Sequence, residues 1–217
     1  MNKWIWIGLG IAALGAFLFW LFMGSAKSLP GEKVADLGRE HMAIGTEVSY
    51  NSNPPTSGKH YEDWIKAGVY QTAKDDRNLV HSLEHGYVIM SYNCDYKGIG
   101  YSIQSTVYAH GLEEEEASPS SDGATDSAEL SEDCHELVDQ LISVYQKKGR
   151  IRLIVVPRPN LDSKIALTAW GRIDKFNPST SSGLSASEIE SIEKFIDAYL
   201  NQGPEKTKES AGQLNEQ

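Results

Sequence analysis

Gly86-Tyr87-Val88-Ile89-Met90-Ser91-Tyr92-Asn93-Cys94 is the stretch on which the fold turns. Val88, Ile89, Met90 and Tyr92 put apolar groups on both faces of an extended chain, the pattern of a strand in the middle of a sheet. Downstream, Cys134, Leu137, Val138, Leu141, Ile142 and Tyr145 recur at helical spacing. A helix is therefore expected from Ser131, which caps it, to about Lys147, with Gly149 ending it. Ile151 to Val156 reads as a second buried strand. A strand, a helix and a strand in this order make a crossover that pairs the two strands in parallel. Pro157 to Ser163 is a turn, and Lys164 to Ile173 reads as one further strand returning antiparallel. Ser185 and Glu188 form a capping box for a last helix that buries Ile189, Ile192, Phe195, Ile196 and Tyr199. The expected fold class is α/β or α+β, a single small domain with a mixed sheet flanked by helices.

Working toward the N-terminus, Thr46 to Tyr50 alternates weakly and is a short strand candidate, and Pro54-Pro55 bars a helix from the turn-rich run 51–58. The globular domain is assigned to 41–204, with a polar tether over 24–40 and a disordered tail over 205–217. Trp4 to Met23 is an unbroken run of apolar and small residues. As a helix it spans about 30 Å, the hydrocarbon thickness of a bilayer, and it exceeds a secretory signal core. It is expected to be an N-terminal transmembrane helix (1–23), a single-pass anchor in the cell membrane through residues 4–23. Trp4, Trp6 and Trp20 sit near its ends, where indoles favour the headgroup layer. Gly8, Ala12 and Ala16 form a small-residue stripe that offers a homodimer contact between anchors.

The 217 residues include 30 acidic and 20 basic side chains, for a formal charge of −10. Ten of the acids lie between Glu113 and Glu136, where no Lys or Arg occurs, so the excess belongs to one segment and the remainder is balanced. A basic footprint for nucleic acid is absent. Residues 112–131 are too polar to bury anything and read as a solvated acidic loop insert. Cys94 and Cys134, the only two cysteines, flank this insert. A disulfide between them would close a loop of about 40 residues and place the domain on the extracytoplasmic side; the alternative is two reduced, buried thiols.

Four of the six histidines precede the first confident strand: His41, His60, His81 and His85. His60 follows the rigid Pro54-Pro55-Thr56-Ser57-Gly58 loop, and His81 and His85 are four apart, which on one helical turn sets both imidazoles on one face. These four are the candidate ligands of a transition metal, zinc or copper, since neutral imidazole suits both. Glu84 is read as a support for the ligands, accepting a ring N–H and fixing the tautomer. Met42 and Met90 are candidate thioether donors that would favour copper. The string His81-Ser82-Leu83-Glu84-His85 also fits H-x-x-E-H, the zinc motif of one peptidase class, with Glu84 as general base of a zinc-dependent hydrolase. Gly86 argues against the long helix that motif requires. A third reading is a scaffold or interaction module with structural histidines. His110 and His135 border the insert and face solvent. Neither a hydroxyl triad nor a phosphate-binding glycine loop is present, so a non-enzymatic role is favoured.

The blocks Tyr50-Asn51-Ser52-Asn53-Pro54-Pro55-Thr56-Ser57-Gly58-Lys59-His60, Gly68-Val69-Tyr70 and Leu79-Val80-His81-Ser82-Leu83-Glu84-His85-Gly86 resemble a bacterial family known as domain of unknown function 3105. Ala169-Trp170-Gly171-Arg172 and Phe195 to Tyr199, followed by Gly203-Pro204, resemble its closing segments. The resemblance implies that His60, His81, His85 and, less directly, His41 lie in shared motifs, and that an N-terminal anchor or export signal is usual. It supplies no activity, and the acidic insert departs from the family's shorter linker.

Overall fold

The computed structural model describes residues 2–24, 28–95, 132–180 and 183–205, and the chain divides into two compact units, Met1–Pro30 and Gly31–Gln217. The insert at 112–131, His110, the Ser131 cap and the tail beyond Glu205 fall outside the described residues.

The first unit is helix α1, Lys3–Gly24, whose described apolar side chains are exposed, Trp4 at 78 %, Phe19 at 65 % and Trp20 at 69 %. The helix expected over 1–23 is therefore present, but the span is not met as such: among the described residues no helix is long and apolar enough to cross a membrane.

The second unit is built on a mixed sheet, and its architecture is α+β. Its strands are β1 (Glu32–Lys33), β2 (Gly68–Val69), β3 (Val88–Tyr92), β4 (Leu153–Pro157), β5 (Ile165–Ala169) and β6 (Arg172–Phe176), in the order β1-β6-β5-β3-β4-β2. Its helices are α2 (Asp76–Glu84), α3 (Glu132–Lys147) and α4 (Ala186–Tyr199). The strand at the centre of the sequence argument is central in space as well. All five residues of β3 are buried, and it pairs in parallel with β4 (Val88↔Leu153) and antiparallel with β5 (Met90↔Leu167).

Because successive side chains alternate across a strand, β3 and β4 feed two separate cores. Val88, Met90, Leu153 and Val155 join Leu137 and Leu141 of α3 and Ile192 and Phe195 of α4 on one face. Ile89, Ile154 and Val156 join Leu79 and Leu83 of α2 on the other, with Trp64 and Trp170 packed alongside. Cys94, just past β3, is disulfide-bonded to Cys134 in the first turn of α3, with 5.5 Å between their Cα atoms. The capping box at Ser185 and Glu188 is present, and Ile192, Phe195, Ile196 and Tyr199 of α4 are buried.

Several expectations need correction. The single strand read over 164–173 is a hairpin, since Trp170 and Gly171 form a turn between β5 and β6, and Gly171 takes the positive φ such a reversal needs (+65°). No strand forms at 46–50: the Thr46 carbonyl is taken by the Arg77 guanidinium at 3.2 Å and no partner strand lies alongside. The tether read over 24–40 ends earlier, because β1 pairs antiparallel with β6 (Glu32↔Ile173) and brings its residues into the sheet. The tail does not start at the end of α4 either. Asn201 N–H donates to Gly86 O at 2.7 Å and Glu205 N–H to Glu84 O at 3.1 Å, so the chain after α4 straps across the end of α2.

Candidate metal centre

Helix α2 lies on the second core and sets the site. Asp75 caps its N-terminus by accepting from Arg77 N–H, and Leu79 and Leu83 face the sheet. His81 and Glu84 are three apart on this helix and so share a face. The helix stops at Glu84, with His85 as its cap, because Gly86 turns the chain at φ +80° into β3. The turn is crowded: a Cβ on Gly86 would stand 2.8 Å from Asn201 Cα, and one on Gly203 would collide with the backbone of Glu84 and Gly86.

His60 and His41 arrive on a second substructure. Residues 38–42 lie alongside 58–60: Gly58 N–H donates to Gly38 O (2.8 Å), His60 N–H to Glu40 O (3.1 Å) and Met42 N–H to His60 O (2.8 Å). The ring centroids of His41, His60 and His81 are 4.8 to 5.0 Å apart. The ligating atoms of His41, His60, His81 and Glu84 all lie within 4.8 Å of one another. A tetrahedron of bonds of about 2.1 Å has edges of about 3.4 Å, so small side-chain adjustments would bring the four atoms to the spacing a tetrahedral ion requires.

The protonation logic of the rings is readable. His60 Nδ1 lies 2.8 Å from Gly58 O, and His81 Nδ1 lies 2.8 Å from Tyr61 O. A carbonyl only accepts, so each Nδ1 carries the proton and donates. With Nδ1 donating, Nε2 of each ring points into the cluster and bears a lone pair wherever it carries no second proton, the arrangement in which an outer carbonyl orients a metal-binding imidazole. His60 Nε2 and Glu84 Oε2 stand 2.8 Å apart, each buried, yet no hydrogen bond of acceptable geometry joins them. Two acceptors this close need a cation or a second ring proton between them. Burial is the main reason His81 is held proton-free, its pKa pushed down to about 4. The charges of His85 and His60 act in the same direction, and the bond to Tyr61 opposes them.

The group that converges is not the full set of candidate ligands. His41, His60 and His81 converge, Glu84 stands among them instead of behind them, and His85 is outside the group. Past the helix end, the His85 ring lies tilted against His81 (centroids 4.5 Å) and edge-on to Trp64 (4.9 Å), with Nδ1 4.0 Å from Glu205 Oε1. The i, i+3 pair His81/Glu84 was the signal for this: His85 N–H still donates to His81 O (3.2 Å) and closes the last turn, but its ring lies against Trp64, whereas Glu84 stands beside His60. Arg39 places Nη1 3.6 Å from Glu84 Oε1 at the mouth, and Trp170 flanks His60. Met90 is fully buried in the first core, across the sheet, and offers no thioether. His135 is exposed on α3, as expected. A cavity of about 530 Å³ lies elsewhere, at the C-terminal ends of β3 and β4, and its arginines pair within it, Arg158 with Asp76 and Arg77 with Asp75.

A family described as a protein of unknown function (DUF3105) matches residues 41–117, just over a third of the chain. The resemblance read from the motifs is borne out over that stretch, which carries all four converging residues. The blocks around Trp170 and Phe195 lie beyond it. No curated protein and no solved structure matches the chain.

Proposed function

We propose that the domain binds one transition metal ion, zinc or copper(II), through His41, His60, His81 and Glu84, as a carrier, store or sensor. The observation that supports this most directly is the buried meeting of two imidazole lone pairs with the Glu84 carboxylate, for which a cation supplies the missing attraction. Three neutral imidazoles and one carboxylate suit borderline divalent ions, and without a thioether the set has no preference for copper(I).

Four protein donors complete a tetrahedral shell, whereas catalytic zinc sites hold three and keep one position open. This is the argument against the hydrolase reading, in which Glu84 would stay off the metal as a base and His85 would ligate. The scaffold reading replaces the metal by a second proton on His60, an imidazolium facing Glu84.

A titration decides between these. The full chain, purified without a histidine tag and stripped by chelator, should take up one zinc or copper ion per molecule and melt at a higher temperature when loaded. His81→Ala should lose the ion, and Glu84→Gln should weaken binding by roughly tenfold or more. Tight binding retained in Glu84→Gln would instead support the hydrolase. A wild-type chain that takes up no stoichiometric metal, with an unchanged melting temperature, would leave the scaffold.

We further propose that α1 attaches the protein to a membrane. Its exposed apolar surface supports a lipid environment, and the Cys94–Cys134 bridge supports an oxidising, extracytoplasmic location for the domain.

A further inference from the structure

The four donors are not held alike. His60, His81 and Glu84 are buried. His41 is exposed, in a strip over 35–47 whose side chains face solvent at every position except the half-buried Met42. Polar contacts hold the strip in place: the three backbone bonds between 38–42 and 58–60, Leu37 N–H to Ser57 Oγ and Gly45 N–H to the Tyr61 hydroxyl (each 3.0 Å), Asn51 to the Ala35 carbonyl, Trp170 to Asp36, Arg77 to the Thr46 carbonyl, and the Lys59–Glu40 ion pair. A segment with so little apolar burial opens locally at low free-energy cost while the core stays closed.

We propose that this strip is the exchange gate of the metal centre, and that the metal passes to and from an anionic, carboxylate- or thiolate-bearing chelator or partner site through the position His41 leaves. The inference rests on the metal reading above. When the strip lifts, the bond between the metal and the His41 ring nitrogen breaks, and the imidazole keeps its lone pair. His60, His81 and Glu84 retain the ion at three points. The incoming donor then forms a bond in the vacated position, with no change in oxidation state and no proton transfer when that donor arrives deprotonated. Arg39 selects its charge. The side chain is 58 % exposed, stands two residues before His41 and reaches Glu84, so the mouth carries a cation facing solvent. An anionic donor is drawn to that mouth and a neutral one is not.

Metal-transfer kinetics on the full chain loaded with one equivalent of zinc test this, using ethylenediaminetetraacetate as the anionic acceptor and phenanthroline as the neutral one. His41→Ala should still bind one zinc ion and release it roughly tenfold faster or more. Ser57→Ala keeps all four donors and removes one tie of the strip, so it should also release faster, by a smaller factor. Arg39→Ala should slow transfer to the tetraacetate and leave transfer to phenanthroline unchanged. The gate is overturned if His41→Ala loses zinc outright as His81→Ala does, or if release is unchanged in both His41→Ala and Ser57→Ala. Equal slowing of both acceptors by Arg39→Ala overturns the anionic choice alone. A wild-type chain that holds no zinc at all refutes the metal centre itself and the gate with it.

Discussion

At the scale of single residues, His81 has a consequence for acid stability. Its pKa in the fold, about 4, lies below the value of about 6.5 for a free imidazole. As pH falls the unfolded chain therefore takes up the proton first, and the stabilisation from the neutral buried ring, full above about pH 6.5, is lost progressively toward pH 4. Urea midpoints of the metal-free protein should fall across that window, and His81→Gln should flatten the fall; an equally steep fall in the variant would show that another group titrates. The residue types of the site were legible in the chain, since His41, His60 and His81 are chemically distinctive wherever they stand. That Glu84 and not His85 joins the cluster was not, because it depends on what packs around His81: Glu84 meets His60, and His85 meets Trp64 and Glu205.

At the scale of elements, the end of α2 is held from outside. Gly86 adopts a left-handed conformation directly beneath the strap formed by Asn201, Gly203 and Glu205. Gly86→Ala should therefore destabilise the domain by about 1–3 kcal/mol from backbone strain, before the collision with Asn201 is counted. Denaturant unfolding measures this, and a change within about 0.5 kcal/mol would mean that the strap yields freely. Long elements were legible from periodicity: α3, α4, β3 and β4 lie close to where their apolar patterns place them. The hairpin β5–β6 was not separated, because β5 is apolar but for Thr168 and Trp170-Gly171 does not stand out as a turn. The two-residue strands β1 and β2 are shorter than any repeat that could announce them.

At the scale of the whole molecule, the exposed apolar helix and the disulfide carry a joint expectation about placement. The full chain should sediment with membranes and resist alkaline carbonate extraction, whereas a chain lacking residues 1–24 should not. In cells, Cys94 and Cys134 should resist a thiol reagent until a reductant is added. Free thiols in freshly trapped protein would place the domain in a reducing compartment. With a loop of 40 residues closed by the bridge, removing it in Cys94→Ser with Cys134→Ser should cost about 4 kcal/mol by chain entropy. The charge of −10 was legible as a local property of one segment, and no part of the described site draws on that segment.

The amino-acid order by itself determined which stretches must be buried, where two of the helices lie, and which side chains are chemically able to hold a metal. These are local properties: burial follows from periodicity, and ligand capacity from the side chain alone. Tertiary structure alone decided that His41 meets His60 and His81, that Glu84 joins them and that His85 packs against Trp64 outside the group. Those outcomes rest on backbone hydrogen bonds between segments about twenty residues apart and on a strap from the far end of the chain. Every residue except proline offers the same backbone N–H and C=O groups, so these bonds leave almost no mark on the pattern of side chains.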